Sequence, residues 1–208
     1  MPLHYDPIVD GEGGSAATVN RRLQSLNNAI DNIAAGLQPS ITGWQTLSVA
    51  AAQIAIGSIP TNFNGLKLIT LLRSDTGATK TTLLMRLNGD SNAANYYARH
   101  YELDSGGVTN SAQLGSGSNG FDLKNCVTGA TAPAGYYGML ELDILRYRDV
   151  TARVMKYEGF AQGQVSSELK FHTGGGSYIG ANEVTSLLLI PGACNFAAGS
   201  KYILYGIL

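Results

Sequence analysis

The sequence has few charged residues, and the two signs nearly cancel. Asp, Glu, Lys and Arg make up 14% of the 208 residues, compared with about 25% in an average soluble protein. The 14 Lys and Arg residues and the 15 Asp and Glu residues give a net charge of −1. A protein that holds nucleic acid through its phosphates needs a basic surface, so we expect no nucleic-acid partner.

Cysteine is also scarce. Cys126 and Cys194 are the only two in the chain, too few for a disulfide scaffold or for a zinc site with about four ligands. Two free, buried thiols are the favoured interpretation, and one disulfide between them is the alternative. The sequence contains no P-loop, G-x-S-x-G or H-E-x-x-H motif, and we expect neither a metal nor another cofactor.

Long hydrophobic runs are missing as well. No apolar run reaches the roughly 18 residues that suggest a membrane-spanning helix. The first residues lack the basic segment and apolar run of a signal peptide. We therefore expect no membrane insertion, and synthesis and assembly in a cytoplasm.

Glycine, by contrast, is abundant. It accounts for 26 of the 208 residues, against an average of about 7%. Hydrophobic residues make up 44%, enough for a sizeable core in a chain of this length. This composition is typical of a β-rich protein with many tight turns rather than of a helical enzyme.

Residues 15–38 carry a heptad pattern. Its apolar positions, spaced alternately by four and three residues, are Val19, Leu23, Leu26, Ile30, Ile33 and Leu37. Ser15 suits the N-cap, and Gly36 with Pro39 ends the helix. So narrow a stripe differs from the wider apolar face of a helix on a globular core. The β-branched Val19 and Ile33 at d positions, with Leu and Ile mixed at a, favour three strands over two. The pattern predicts a trimeric coiled coil with these six trimerisation residues; an ordinary helix packed on its own domain is the alternative.

Residues 1–14 precede this helix and contain two prolines and three glycines, which exclude a regular helix. We expect an extended arm that docks into a larger assembly. Its candidate docking residues are Leu3, Tyr5, Ile8 and Val9.

Residues 39–208 alternate between apolar and polar side chains in runs separated by turn signals. The runs cover residues 65–73, 81–87, 95–103, 136–147, 150–160, 165–171, 183–190 and 200–208. Eight to ten strands without intervening helices indicate an antiparallel jelly-roll sandwich. We interpret Gly174-Gly175-Gly176 as a turn and residues 110–135 as a long surface loop with a short strand near 121–127. The apolar final run predicts an inner strand.

Few residue patterns point to catalysis. The run from Gly115 to Gly120 matches G-x-G-x-x-G, but no helix pattern follows it, as a dinucleotide site requires. The histidines His4, His100 and His172 are far apart in the sequence, and we interpret each as an ordinary packed or exposed residue.

Two segments with acidic residues have ordinary structural interpretations. The run that starts at Asp90 resembles the beginning of a calcium loop but lacks its later acidic ligand, so a hairpin turn is expected. Glu141 and Asp143 share one face of a strand, and a charged surface or interchain ion pairs are favoured over the carboxylate pair of a glycosidase.

Tyrosine is frequent in the body. Ten of the eleven tyrosines are Tyr96, Tyr97, Tyr101, Tyr136, Tyr137, Tyr147, Tyr157, Tyr178, Tyr202 and Tyr205. We expect most of them to be half-buried strand residues, with sugar contact by exposed ones as the alternative.

Four segments resemble a module of bacteriophage virion proteins of the tail-fibre, minor-tail and head-decoration type. They are LLMRLNGDSNAANYYARHYEL (83–103), DILRYRDVTARVMKYEG (143–159), the ending TSLLLIPGACNFAAGSKYILYGI (185–207) and the front DGEGGSAATVNRRLQSLNNAI (10–30). The resemblance implies a homotrimeric jelly roll on an N-terminal three-helix stalk, without enzymatic activity and without catalytic residues.

Three functions therefore compete. The first is a trimeric surface fibre or spike, anchored in the virion by residues 1–14 and facing a glycan or protein of the host surface. The second is a capsid-decoration trimer that stabilises the shell. A carbohydrate-active enzyme is a remote third. In the first two, the protein is assembled in the host cytoplasm and resides in the virion.

The coiled coil predicts an effect on oligomeric state. Changing Leu26 and Ile30 to Asp places charges in the seam, where burial without a partner is unfavourable. Sedimentation velocity should show a shift from trimer to monomer. Gln24→Asp with Asn28→Asp adds the same charge away from the seam and should leave the trimer intact. A trimer that survives the seam substitutions would show that the body holds the subunits together.

Overall fold

The computed structural model describes residues 39–104, 107–114, 119–163 and 169–208. The expected arm (1–14) and helical stalk (15–38) lie outside these residues. The same holds for the two sets of candidate residues placed there: Val19, Leu23, Leu26, Ile30, Ile33 and Leu37 for trimerisation, and Leu3, Tyr5, Ile8 and Val9 for docking. Residues 39–208 form a unit of their own.

The regular structure in the described residues is almost entirely strand. The strands are β1 (Gln45–Thr46), β2 (Ile54–Ile56), β3 (Gly65–Leu72), β4 (Lys80–Thr81), β5 (Leu83–Leu87), β6 (Tyr96–Asp104), β7 (Gly107–Leu114), β8 (Phe121–Asp122), β9 (Val127–Thr128), β10 (Gly138–Leu145), β11 (Arg153–Ala161), β12 (Lys170–Tyr178), β13 (Leu187–Pro191) and β14 (Lys201–Ile207). A single-turn 3-10 helix, Ala93–Asn95, precedes β6.

Two sheets pack face to face. The large sheet has the order β1-β14-β3-β10-β11-β12-β6-β7, and the small sheet has the order β2-β13-β5-β8. A two-stranded ribbon joins β4 to β9. Every ladder between these strands is antiparallel. The expected antiparallel β-sandwich is therefore confirmed.

Eight strands form nested pairs. β1 pairs with β14, β2 with β13, β3 with β10 and β5 with β8, so the chain resembles one long hairpin folded over itself. Two further hairpins, β6–β7 and β11–β12, are inserted into this arrangement and extend only the large sheet. The large sheet is consequently twice as wide as the small one.

The core lies between the sheets and follows the two-residue period of the strands. On β3, Leu66, Leu68 and Leu72 are fully buried, as the alternation in residues 65–73 predicts. On β5, Leu83 and Met85 are equally buried. Each strand of the sandwich thus turns one apolar row inward and leaves the other row on the outside.

The glycine triplet is not a turn. Gly174, Gly175 and Gly176 lie in the middle of β12, paired with β11 and β6. A Cβ on Gly176 would lie 2.2 Å from the carbonyl oxygen of Tyr97, and one on Gly174 would lie 2.6 Å from that of Arg99. Close contact with the neighbouring backbone requires these glycines. From the sequence alone, the same triplet is mistaken for a turn signal.

Two other local expectations also need correction. Strand β7, whose residues are mostly small and polar, occupies the first part of the expected 110–135 loop. It lies at the end of the large sheet's strand order. Asn88 and Gly89 have φ values of 54° and 67° and form a tight turn, with a 3.0 Å hydrogen bond from Asp90 N to Leu87 O. The turn joins strands of different sheets and is therefore no hairpin.

Both cysteines are free, which confirms the favoured interpretation, although only Cys126 is fully buried.

The final strand is an inner one, as expected. β14 lies between β1 and β3, Ile203 and Leu204 are buried, and Gly206 contacts the ring of Phe63, since a Cβ there would lie 2.3 Å from Cδ1. Among the apolar residues of this C-terminal segment, only Leu208, which follows β14, is largely exposed.

The position of β14 predicts the outcome of truncation. Burial of one Leu-sized side chain is worth roughly 1.5–3 kcal/mol, and a whole domain is stable by only about 5–15 kcal/mol. A chain that stops after Lys201 also leaves one side of β3 without hydrogen-bond partners, so it should be insoluble or unfolded. Deleting Leu208 alone should leave the circular dichroism and melting temperature unchanged. A soluble chain ending at Lys201 with the full-length spectrum would make β14 dispensable.

Candidate functional site

A set of exposed large apolar side chains lies on the outward side of the large sheet. We call it the outer face and define it by the side chains of β3, β6, β10, β11 and β12 that point away from the small sheet. Its large apolar residues, each 40–54% exposed, are Tyr97, Tyr101, Leu103, Leu145, Val154 and Phe171. Isolated exposed apolar residues are common, whereas a contiguous set indicates a binding surface.

A shallow depression crosses the outer face where β6, β12 and β11 run side by side. Its volume is about 400 Å³, and Tyr97, Arg99, Val154, Gly175, Gly176 and Ser177 line it. Because β12 has Gly175 here, no side chain fills the space between Arg99 of β6 and Lys156 of β11. We call this depression the outer groove.

A charged cluster lies beside the groove on the same face. Lys67 of β3 forms ion pairs with Glu141 and with Asp143 of β10, the latter at 3.0 Å. Burial by itself lowers the pKa of Lys67, but hydrogen bonds to the two carboxylates outweigh this effect and raise the pKa. The favoured interpretation of these acids as a charged surface therefore fits the structure, because both are bound to one cation rather than facing each other across a substrate.

A second polar cluster is buried between the extended part of the large sheet and the segment that follows β8. His100 and His172, distant in the sequence, both point inward from β6 and β12. Nδ1 of His172 is 3.6 Å from Oε2 of Glu102, and the other carboxylate oxygen of Glu102 binds Lys170. Asn125 donates a 3.2 Å hydrogen bond to the same Oε2. Among the described residues, His172 has no hydrogen-bond partner at either ring nitrogen.

Burial keeps these histidines neutral. It lowers the pKa of His172 to about 4, against the opposing attraction of Glu102. Burial also lowers the pKa of His100, with a further contribution from Lys124. The neighbouring Cys126 thiol has a raised pKa for the same reason. The described residues contain no group of three or more His, Cys, Asp or Glu side chains able to hold a metal ion.

A buried arginine lies at the beginning of β11. Arg153 is 1% exposed, donates to the carbonyl oxygens of Gly180 and Asn182, and lies 5.1 Å above the ring of Tyr178. Tyr178 in turn donates a 2.9 Å hydrogen bond to Asp90. The alternation along β11 places Arg153 on the same inward face as Met155 and Tyr157, but sequence reasoning missed this network because the carbonyl groups that bind Arg153 belong to a segment 27–29 residues later.

The same network explains the expected calcium-like segment. One carboxylate oxygen of Asp90 accepts from the backbone N–H of Asn92, and the other accepts from Asn95 and Tyr178. Burial raises the pKa of Asp90, but these hydrogen bonds more than compensate and lower it. Asp90 is thus part of a hydrogen-bonded turn, as expected, although the turn is not a hairpin.

The tyrosines divide into three groups. Tyr96, Tyr147, Tyr157 and Tyr178 are buried, whereas Tyr97, Tyr101 and Tyr136 are exposed. The third group, Tyr137, Tyr202 and Tyr205, is half-buried. The expectation that most tyrosines are half-buried is therefore wrong. Exposed tyrosines occur mainly on the outer face, where two of the three lie on β6.

In the glycine-rich run, residues 115–118 lie outside the described residues. Gly120 is buried against the carbonyl oxygen of Met85, and Asn119 O accepts from Arg86. These contacts hold the end of the run against β5.

No protein-family model and no curated protein matches the sequence. Among solved structures, the galectin LEC-6 of Caenorhabditis elegans is similar at 13% identity, with a TM-score of 0.32 over 79% of this chain and 97% of that one. The carbohydrate recognition domain of Emp47p is similar at 12% identity, with a TM-score of 0.29 over 82% of this chain and 95% of that one. Likenesses this weak assign neither a family nor a ligand.

The described residues include no helix long and apolar enough to cross a membrane.

The buried histidines predict a loss of stability in weak acid. The unfolded chain binds protons at the ordinary His pKa of about 6.5, whereas His172 in the folded chain has a pKa of about 4. The contribution of the neutral His172 to the free energy of unfolding is therefore fully present at neutral pH. It is lost progressively as the pH falls from about 6.5 towards about 4. Urea unfolding at pH 7 and pH 5 should show that His172→Asn reduces this loss by about 1–2 kcal/mol.

Choosing pH 5 as the lower limit keeps most carboxylates ionised, so that the histidines dominate the change. His100→Asn should act in the same direction, and His4→Asn, in the expected arm, is the matched control. An unchanged pH dependence in both body variants would show that the histidines are not buried in their neutral form.

Proposed function

We propose that the chain is a non-enzymatic structural protein of a bacteriophage virion, a homotrimer whose body is a jelly roll displayed on the particle surface. The observation that carries this proposal is the nested pairing of eight strands in the body. It agrees with the fold that the sequence resemblance to virion proteins implies.

The jelly-roll assignment rests on how the nested hairpin is divided between the sheets. β1, β3, β10 and β14 lie in the large sheet, and β2, β5, β8 and β13 lie in the small sheet. Closing the roll places β14 against β3 and β13 against β5. Four strands per sheet with two interlocked Greek keys define a jelly roll, an architecture common in viral capsid and lectin domains.

A role in binding is supported by the outer face. It carries exposed aromatic and aliphatic side chains, including Tyr97, Tyr101 and Phe171, and aromatic residues are enriched in interfaces. The clustered acids Glu141 and Asp143 both form ion pairs with Lys67. This arrangement favours an interaction surface over a hydrolytic site.

The N-terminal part of the proposal comes from the sequence. The heptad residues 19–37 form a three-helix stalk, and residues 1–14 dock into other virion proteins. In this arrangement the body faces outward as a fibre or spike, and its partner is a glycan or protein of the host surface. The trimer assembles in the host cytoplasm and resides in the virion.

Antibodies against the purified chain test the proposal on intact virions of the phage that encodes it. Gold label at the tail indicates the fibre or spike, and label distributed over the shell at local three-fold positions indicates the decoration alternative. Virions that carry no label at all would contradict the proposal.

The arm should control incorporation but not folding. Deleting residues 2–14 should abolish labelling of the virions, while the isolated trimer keeps its melting temperature, because residues 39–208 form a compact unit of their own. Replacing Leu3, Tyr5, Ile8 and Val9 by Ser tests the candidate docking residues at constant length. Normal incorporation of both variants would place the attachment site elsewhere.

A further inference from the structure

The outer groove brings together three kinds of chemistry. Tyr97 and Val154 form apolar walls, Ser177 adds a hydroxyl, and Arg99 adds a guanidinium. Tyr97 and Val154 are both pair partners of Ser177, and Arg99 is the pair partner of Gly175. The apolar wall and the cation therefore occupy neighbouring rows of one sheet surface.

Arg99 has no acidic partner among the described residues. No salt bridge between these residues includes it, and its side chain is exposed. The adjoining strand β7, with the sequence GVTNSAQL, contains no Asp or Glu. On the same face, Lys67 and Lys156 each lie within 4 Å of a carboxylate. The positive charge of Arg99 is thus available to a ligand.

Glycine keeps the groove open. Lys156 and Arg99 are the pair partners of Gly175 on either side, so their Cα atoms lie two strand spacings apart, about 9.5 Å. A side chain at position 175 would project into this gap, and its Cβ would lie 2.9 Å from the carbonyl oxygen of Met155. Both the packing of the sheet and the shape of the groove therefore require glycine here.

We propose that the outer groove binds a carboxylated pyranose, such as a uronic acid or sialic acid residue of a host-surface glycan. The guanidinium of Arg99 pairs with the carboxylate, and the ring of Tyr97 packs against the apolar face of the sugar. Ser177 contributes a hydrogen bond to a ring hydroxyl. This inference rests on the proposed display of the body at the particle surface.

Charge complementarity favours this ligand over a neutral one. A guanidinium matches a carboxylate with two parallel hydrogen bonds, whereas a neutral sugar leaves that charge unmatched. A volume of about 400 Å³ falls in the range of small-molecule sites, about 300–1,000 Å³. An aromatic ring combined with polar groups at the margins suits a sugar, which has both an apolar face and hydroxyls.

Saturation-transfer NMR and calorimetry on the full-length protein test the groove. The probes are 3′-sialyllactose and a glucuronate disaccharide, with lactose as the neutral comparator. We expect at least one acidic sugar to bind at least tenfold more tightly than lactose. The one that binds more tightly shows whether the groove takes a sialic acid or a uronic acid. Arg99→Gln and Tyr97→Ala should each weaken that binding at least tenfold.

Arg148→Gln is the matched control, since Arg148 is an exposed arginine in the turn after β10, outside the groove. It should leave binding unchanged, and circular dichroism should show that all three variants are folded. Equal binding of lactose and both acidic sugars, no binding of either acidic sugar, or unchanged binding by Arg99→Gln would overturn the inference. An equal loss in Arg148→Gln would also overturn it, because it would indicate general charge attraction.

Failure of the sugar experiment and failure of the proposed function are separable. Gold labelling of virions depends on assembly and not on sugar binding. Labelled virions with no acidic-sugar binding would reject the groove assignment alone, whereas unlabelled virions would reject the virion proposal whatever the protein binds.

Discussion

Strand β3 is hydrogen-bonded along nearly its whole length to β10 on one side and to β14 on the other. These three strands come from the beginning, middle and end of the body, and their inward residues, such as Leu68, Leu142 and Leu204, are completely buried. Of the other nested pairs, β1–β14 extends this ladder, whereas β2–β13 and β5–β8 form the small sheet that faces it. Because its contacts join residues more than 60 positions apart, a large loop-closure entropy must be overcome before burial is gained. The fold therefore depends on the whole body chain being present.

The inserted hairpins determine what the body can present. β11, β12 and β6 widen the large sheet beyond the small one, and they can approach closely because β12 carries glycine where a Cβ would collide with the neighbouring carbonyl oxygens. The same lack of side chains leaves the outer groove between Arg99 and Val154. At Gly175, which faces outward, the close approach to the carbonyl oxygen of Met155 and the open groove both result from the missing side chain.

The inner side of these hairpins is more polar than the core of the sandwich. His100, His172 and Glu102 lie there, and Arg153 is buried at the far end of β11. The two terminal nitrogens of Arg153 donate to backbone carbonyls, and its Nε has no hydrogen-bond partner among the described residues. His172 avoids the cost of a buried charge by remaining neutral. The extension is therefore held together by specific polar contacts in addition to apolar burial, and we expect the effect of weak acid on stability to arise there.

Alternation along a strand is a local property, and the sequence by itself determined it. Side chains of a strand point to opposite faces in turn, so the buried rows that include Leu66 and Leu68, or Leu83 and Met85, could be identified without a structure, as could the antiparallel sandwich. The heptad at residues 19–37 is a prediction of the same local kind. Which strands pair is not local, and only the tertiary structure decided it. Gly174–Gly176 read as a turn because the reason for glycine lies in the backbone of β6, some 75 residues earlier. The meeting of His100 with His172, the burial of Arg153 and the recess beside Arg99 likewise depend on contacts between distant segments, which no spacing in the sequence records.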